Sequence, residues 1–135
     1  MLHRTMFLEI CTACILLYSL WSLLTLERNY KRALSMGIPL VRVPIDPLNI
    51  PWQVIEPHLW RIADFLHLPL PSCTRYMRRG WYFADKAKAH LEFGPIYALV
   101  TPREILIQLC DSEAIHEVFT RRGDFVRPAR NYSGW

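Results

Sequence analysis

"EFGPIYALVTPREILIQLCDSEAIHEVFTRRGDFVRP", residues 92–128, holds two apolar runs, a capped helical stretch and an extended exit in fewer than forty residues. Residues 96–101 and 105–110 are strand-length and are joined by Pro102, Arg103 and Glu104, a layout that predicts a β-hairpin over 96–110. Ile96, Ala98 and Val100 share one face and Tyr97, Leu99 and Thr101 the other, so both faces are largely apolar. A sheet apolar on both sides needs cover on both, and a lone hairpin is marginal in water. Most of that cover is expected from chain outside this sequence. Asp111 reads as an N-cap with Glu113 in the first turn, which predicts a helix over 112–122. Its buried stripe is expected to be Ala114, Ile115, Val118 and Phe119, with Gly123 in the left-handed position after the last turn. Residues 124–128 then leave in extended form.

Upstream, Ser72 or Thr74 is placed to cap a long helix running to about Phe93, where Gly94-Pro95 stops it. "LPLPSC" (68–73) is a break. Before it, Trp52, Ile55, Leu59, Ile62 and Leu66 recur at steps of three and four and predict an amphipathic helix, kinked at Pro57 or starting near Glu56. That stripe suits a bilayer surface or a protein core equally well. Pro39, Pro44, Pro47 and Pro51 fall within thirteen residues, so residues 28–51 are expected to form a basic, Pro-rich, extended linker acting as a stiff spacer.

The N-terminal residues 1–27 have a different character. Residues 10–26 carry no charge over seventeen positions, and residues 6–26 make a stretch of twenty-one, close to the roughly 20 a helix needs to cross a bilayer. A cleaved secretory signal is the competing reading, but the run exceeds the ~7–15 apolar residues of a signal core and no small-residue cleavage site follows Leu26. A retained transmembrane helix is the expectation, with residues 6–26 as the lipid contact. Glu9 lies about a turn inside the apolar stretch, close enough to its end to reach the interface. Arg28, Lys31 and Arg32 follow the stretch while only His3 and Arg4 precede it, which places the C-terminal side in the cytosol.

Composition excludes several function classes. With 52% hydrophobic and 21% charged residues, the chain is not a disordered tail. Its net charge of +4 is split among the anchor flank, "RYMRR" (75–79) and "RRGDFVRPAR" (121–130), with acids interspersed, which reads as a solvated or lipid-facing surface rather than a nucleic-acid footprint. Cys11 and Cys14 have CxxC spacing but sit in the apolar span without a second ligand pair, and Cys73 and Cys110 are isolated. His58, His67, His90 and His116 lack the spacing and company of metal ligands. No catalytic, cofactor-binding or metal-binding residue is assigned.

Taken in order, the anchor, the Pro-rich spacer, the long helix and the opening stretch resemble the N-terminal region of a microsomal cytochrome P450 of a type common in filamentous fungi. The resemblance is carried by Gly94 to Val100 as the opening of the first hairpin, Asp111 to Phe119 as the following helix, and Arg122 to Pro128 as its exit. It implies a fold that is mainly α with a small β-hairpin (α+β), in which residues 52–135 are a truncated N-terminal portion of the larger P450 architecture. It also implies an endoplasmic-reticulum, single-pass protein of fungal secondary metabolism, with haem iron and a reductase supplying NADPH electrons in the full-length family. The family's haem is held by a Cys thiolate in a late glycine-framed loop, and none of the four cysteines here has that setting. The Glu-x-x-Arg pair and the Trp-x-x-x-Arg of the haem-contacting helix are missing as well. The chain is therefore expected to be a fragment of a monooxygenase that is inactive alone. A small membrane-anchored interaction protein derived from that family is the alternative, and a basic membrane-surface module a weaker third.

Overall fold

The computed structural model describes residues 2–85 and 87–125, which are mostly helical with one small sheet. The first helix, α1 (Leu2–Ala33), is 32 residues long and carries Lys31 and Arg32 in its last turn, where cations favour the negative end of the helix dipole. It is long and apolar enough to cross a membrane. At about 1.5 Å per residue it spans roughly 48 Å, well beyond the ~30 Å of a hydrocarbon core. Gly37, with φ at 67°, turns the chain after a short 3-10 turn, Leu34–Met36.

The sheet has three strands, not two. As expected, β2 (Ile96–Val100) and β3 (Ile105–Leu109) form an antiparallel hairpin, with Ala98 opposite Ile107. The unexpected strand is β1 (Leu40–Arg42), which lies parallel to β2 with Val41 opposite Leu99. The reading of residues 28–51 as a spacer is thus corrected in two places. Residues 28–33 continue α1, and residues 40–42 belong to the sheet. Proline density was a poor guide because Pro39 and Pro44 bracket four residues that keep their N–H groups. The Pro39 carbonyl accepts from Ala98, and the Val43 N–H donates to Val100. An edge strand tolerates flanking prolines in this way.

Both faces of β2 are covered from within the chain, which corrects the expectation that the cover lies elsewhere. On one face Val100 meets Leu26 and Ala33 of α1, with Tyr30, Leu40 and Ile105 packed around them. On the other, Tyr97 and Leu99 join Val43, Tyr76, Met77, Trp81 and Ala89 in the main core. Tyr76 and Trp81 meet edge to face there, centroids 4.8 Å apart.

That second cover is not one long helix. Residues 72–93 divide into a 3-10 segment (Ser72–Met77), α3 (Trp81–Asp85) and α4 (Lys88–Phe93). Gly80 adopts φ 69°, a left-handed conformation that breaks the helix before α3. The Asp85 carboxylate accepts the Ala89 N–H at 2.9 Å and so starts α4 afresh. Gly94, at φ 100°, ends α4 where expected.

The preceding helix, α2 (Ile50–Phe65), begins ahead of Glu56, with Pro51 in its first turn where no N–H is needed. Of the apolar stripe only Trp52 lies on its packing face. Glu56 and Ala63 are buried, Trp52 and Trp60 half-buried, while Ile55, Leu59, Ile62 and Leu66 are exposed. Polar anchoring explains the choice: both Glu56 carboxylate oxygens accept the Arg79 N–H, at 3.1 and 3.0 Å, and the Trp52 indole donates to the Met77 carbonyl at 2.8 Å. The last helix, Ser112–Thr120, is capped by Asp111 as expected, its carboxylate accepting from the Ala114 N–H at 2.9 Å. Its stripe is only partly covered, since Ala114, Ile115 and Val118 are half-buried and Phe119 is exposed. Gly123 is not among the left-handed glycines, a correction to its expected role. The extended exit through Pro128 lies outside the described residues from Val126 onward.

Candidate functional site

The feature with the clearest functional content is the junction between α1 and the rest of the chain. From Thr5 to Trp21 the helix is exposed almost throughout, whereas Leu26, Asn29 and Ala33 are buried. Asn29 fastens the junction. Its side-chain amide donates to the Thr101 and Pro102 carbonyls at 3.0 and 3.1 Å, tying α1 to the hairpin turn. Thr101 completes that turn, its hydroxyl accepting from the N–H groups of Arg103 and Glu104. Leu26 therefore belongs to the folded body, which corrects the lower end of the expected 6–26 lipid contact: a residue packed on Val100 cannot also face acyl chains. Tyr18 and Trp21, ring centroids 6.2 Å apart, stand just before the packed part of the helix. Beyond them Arg28, Lys31 and Arg32 are exposed, and the Arg42 guanidinium stacks 3.6 Å over the Tyr30 ring while pairing with Glu27.

Beside this junction lies a cleft of about 1270 Å³, bounded by Tyr18 to Leu23 of α1, by the loop and first turn from Pro44 to Ile55, and by Pro102 to Glu104 of the hairpin. The Asn49 amide donates to the Tyr18 hydroxyl across it at 3.3 Å. Asp46 lines the cleft while buried, one carboxylate oxygen accepting the Leu48 N–H at 2.9 Å.

A second polar cluster surrounds Arg75. Its guanidinium donates to the Tyr76 hydroxyl and to Glu92 and lies 3.7 Å from Asp85, with Arg78, Arg79 and Lys88 nearby. Burial lowers the affinity of Arg75 for its proton, but the hydrogen bonds to Tyr76 and Glu92 outweigh it and hold the pKa above its ordinary value. Burial raises the Tyr76 phenol and pushes Tyr97 up to about 12. These are features of a structural cluster: every group in it that shifts is held in the protonation state it already has at neutral pH.

The cysteines and histidines are dispersed. Cys11 and Cys14 lie on α1, Cys73 on the 3-10 segment and Cys110 just after β3, all as free thiols. His67 bonds the Phe65 carbonyl, and His90 bonds the Gly94 carbonyl and meets Tyr97 edge to face. Among the described residues no group of three or more His, Cys, Asp or Glu side chains could hold a metal ion.

Comparison with known proteins gives this geometry a context. A cytochrome P450 monooxygenase of Arthrobotrys oligospora is 29% identical over 107 residues, 79% of this chain and 18% of that protein. Over most of its own length this chain is similar to cytochrome P450 monooxygenases. Two further P450 monooxygenases, of Penicillium roqueforti and Penicillium rubens, are 25% and 24% identical over 122 residues, each covering 87% of this chain and 21% of the relative. The chain thus spans about a fifth of the length of the P450 relatives it matches. No family model matches it, and no solved structure does. The P450 family implies haem, and the described residues do not fit one. A thiolate-held macrocycle needs a cysteine above a walled planar cavity, whereas Cys14 and Cys110 are exposed and Cys11 and Cys73 are half-buried on helical surface. No step of P450 chemistry can be assigned to these residues.

Proposed function

We propose that this chain is the membrane-anchored N-terminal part of a haem-thiolate monooxygenase, held in the endoplasmic reticulum with its C-terminal side in the cytosol. The observation that carries this reading is the match of most of the chain to about a fifth of three fungal cytochrome P450 monooxygenases. The exposed apolar length of α1 and the basic residues Arg28, Lys31 and Arg32 after it support the anchoring and its orientation. Residues 1–27 are the anchor region in this reading, with lipid contact ending near Trp21, and residues 52–135 are the opening part of the P450 body. The three-stranded sheet is then a seed whose exposed edge β3 would be extended by later chain. Haem, the reductase partner and the oxidation chemistry belong to that later part. Alone, the chain is expected to bind no haem through thiolate and to oxidise nothing.

The test has two parts. Sequencing the transcript downstream of Trp135 should reveal, in frame, a helix with Trp-x-x-x-Arg and later a glycine-framed Cys loop; a stop codon in every transcript would instead support the small anchored interaction protein. Purified chain mixed with haemin should give no thiolate-type band in the reduced carbon monoxide difference spectrum. Appearance of such a band would overturn the assignment of haem binding to absent chain.

A further inference from the structure

The turn that follows α1 presents a hydroxyl behind two cations. Leu34–Met36 form a short 3-10 turn with no buried residue, closed by the Gly37 N–H on the Leu34 carbonyl at 3.4 Å. That bond is long and short 3-10 pieces have poor hydrogen-bond geometry, so the turn opens at little cost while Ala33 before it stays packed with Val100. Ser35 is exposed, and its hydroxyl donates to the Arg32 carbonyl at 2.8 Å. Arg32 and Lys31 stand three and four residues ahead of it, spacings that place both on the side of the helix end where Ser35 lies. Like Arg28, they are exposed and have no ion pair among the described residues. Among those residues no other serine or threonine has a basic residue three positions before it.

We propose that Ser35 is a phosphorylation site for a protein kinase with an acidic substrate groove. Kinases select substrates by charge pattern, and a groove lined with carboxylates holds the free Arg32 guanidinium by charge-assisted hydrogen bonds while the opened turn delivers Ser35. ATP is the phosphoryl donor. The bond from Ser35 Oγ to the γ-phosphorus forms, the bond from that phosphorus to the β-bridging oxygen breaks, ADP leaves, and the hydroxyl proton passes to the kinase's general base. The product carries a charge of about −1.5 to −2 at neutral pH. Set against Arg28, Lys31 and Arg32, it cancels half or more of the positive flank and weakens the attraction of this end of α1 for anionic lipid headgroups. The modification would thus act on the one cluster of charge that follows the apolar part of the helix.

Use of the site in the cell rests on the proposed orientation, which puts Ser35 on the cytosolic side with ATP, and the experiment separates the two. Microsomes carrying the full chain, either sealed or permeabilised with detergent, are incubated with ATP and the catalytic subunit of cyclic-AMP-dependent protein kinase. Phosphate is then located by peptide mass spectrometry. Sealed microsomes should take up phosphate on Ser35, and Ser35→Ala should remove that signal. Arg32→Gln, at an exposed position, should slow the uptake at least about tenfold, the scale of one charge-assisted hydrogen bond. Phosphate on Ser35 only after permeabilisation would support the site and overturn the orientation. No phosphate on Ser35 of the unaltered chain in either preparation would overturn the proposal without any variant needing to fold. So would phosphate confined to Ser133, which has Arg130 at the same spacing outside the described residues, or an unchanged rate in Arg32→Gln.

Discussion

The two ends of α1 are one uninterrupted helix in two surroundings. Leu16 is 64% exposed and Leu26 only 6%, although both are leucines in the same apolar stretch; Leu26 stands at its end, followed by Glu27 and Arg28. The outer part is stabilised by its own backbone hydrogen bonds and by whatever solvates its side chains. Thr12, Ser19 and Thr25 even return their hydroxyls to carbonyls four residues earlier, as polar side chains do where water is scarce. The inner part is held by the sheet, through Leu26 and Ala33 against Val100 and through Asn29 at the hairpin turn. One helix is therefore exposed and apolar at one end and a core element at the other. Its two parts should respond differently to substitution.

The largest effect is expected in the outer part. Replacing Leu16 and Leu17 by Arg should release the chain from membranes under alkaline carbonate extraction, since each charge near the middle of a span costs about 2.5–3.5 kcal/mol on insertion. Retention of the doubly substituted chain would break the contrast, because it would mean that the body and not the helix holds the membrane. In the inner part, Leu26→Ala should leave carbonate resistance intact and destabilise the body by about 2–5 kcal/mol, read as a lower unfolding temperature in nanodiscs. Next comes Asn29→Ala, which strips the donors from two turn carbonyls and should cost about 1–3 kcal/mol in the same measurement, with greater amide exchange confined at first to residues 100–105.

The smallest effect at neutral pH lies on the side of the sheet away from α1. Tyr97 is buried on the opposite face of β2, and burial pushes its phenol up to about 12 from an ordinary value of 10.0. Because the folded state holds this proton more tightly, its contribution to stability is complete below pH 10 and is lost as the pH rises through about 12. Melting temperature should therefore fall on the alkaline side of pH 10 and fall less steeply in Tyr97→Phe. An identical alkaline slope in the two proteins would assign the loss to other groups, with Tyr76 the first to test.

Much of this was legible in the sequence because the signals are local. The uncharged run of residues 10–26 predicts a membrane-length helix from composition, the hairpin pairs as its strand-length runs suggest, and Asp111 caps its helix by a contact only three residues long. The alternation along β2 likewise gives the two faces correctly, with Tyr97 and Leu99 on one and Val100 on the other. The cleft was not legible: Asp46, one acid in a Pro-rich stretch, carries no spacing signal, and its importance comes from burial among segments about twenty-five and fifty-five residues away in sequence.

What the sequence determined by itself is the set of elements and the family likeness, since caps, periodicity and apolar length act through neighbours along the chain. What only the tertiary structure decided is which apolar surface faces which solvent. Leu26, the last residue of the apolar run, reads as lipid-facing like Leu16, and only the sheet places it in the core. Leu40 to Arg42 read as spacer until the free edge of β2 supplied partners for their backbone groups. The apolar stripe of the helix Ile50–Phe65, all but Trp52, turned outward because Glu56 on the other side accepts from the Arg79 N–H while Trp52 donates to the Met77 carbonyl. In each case the local pattern permits two arrangements of similar cost, and a contact distant in sequence selects one by satisfying a buried polar group or completing a core that no neighbouring residue could supply.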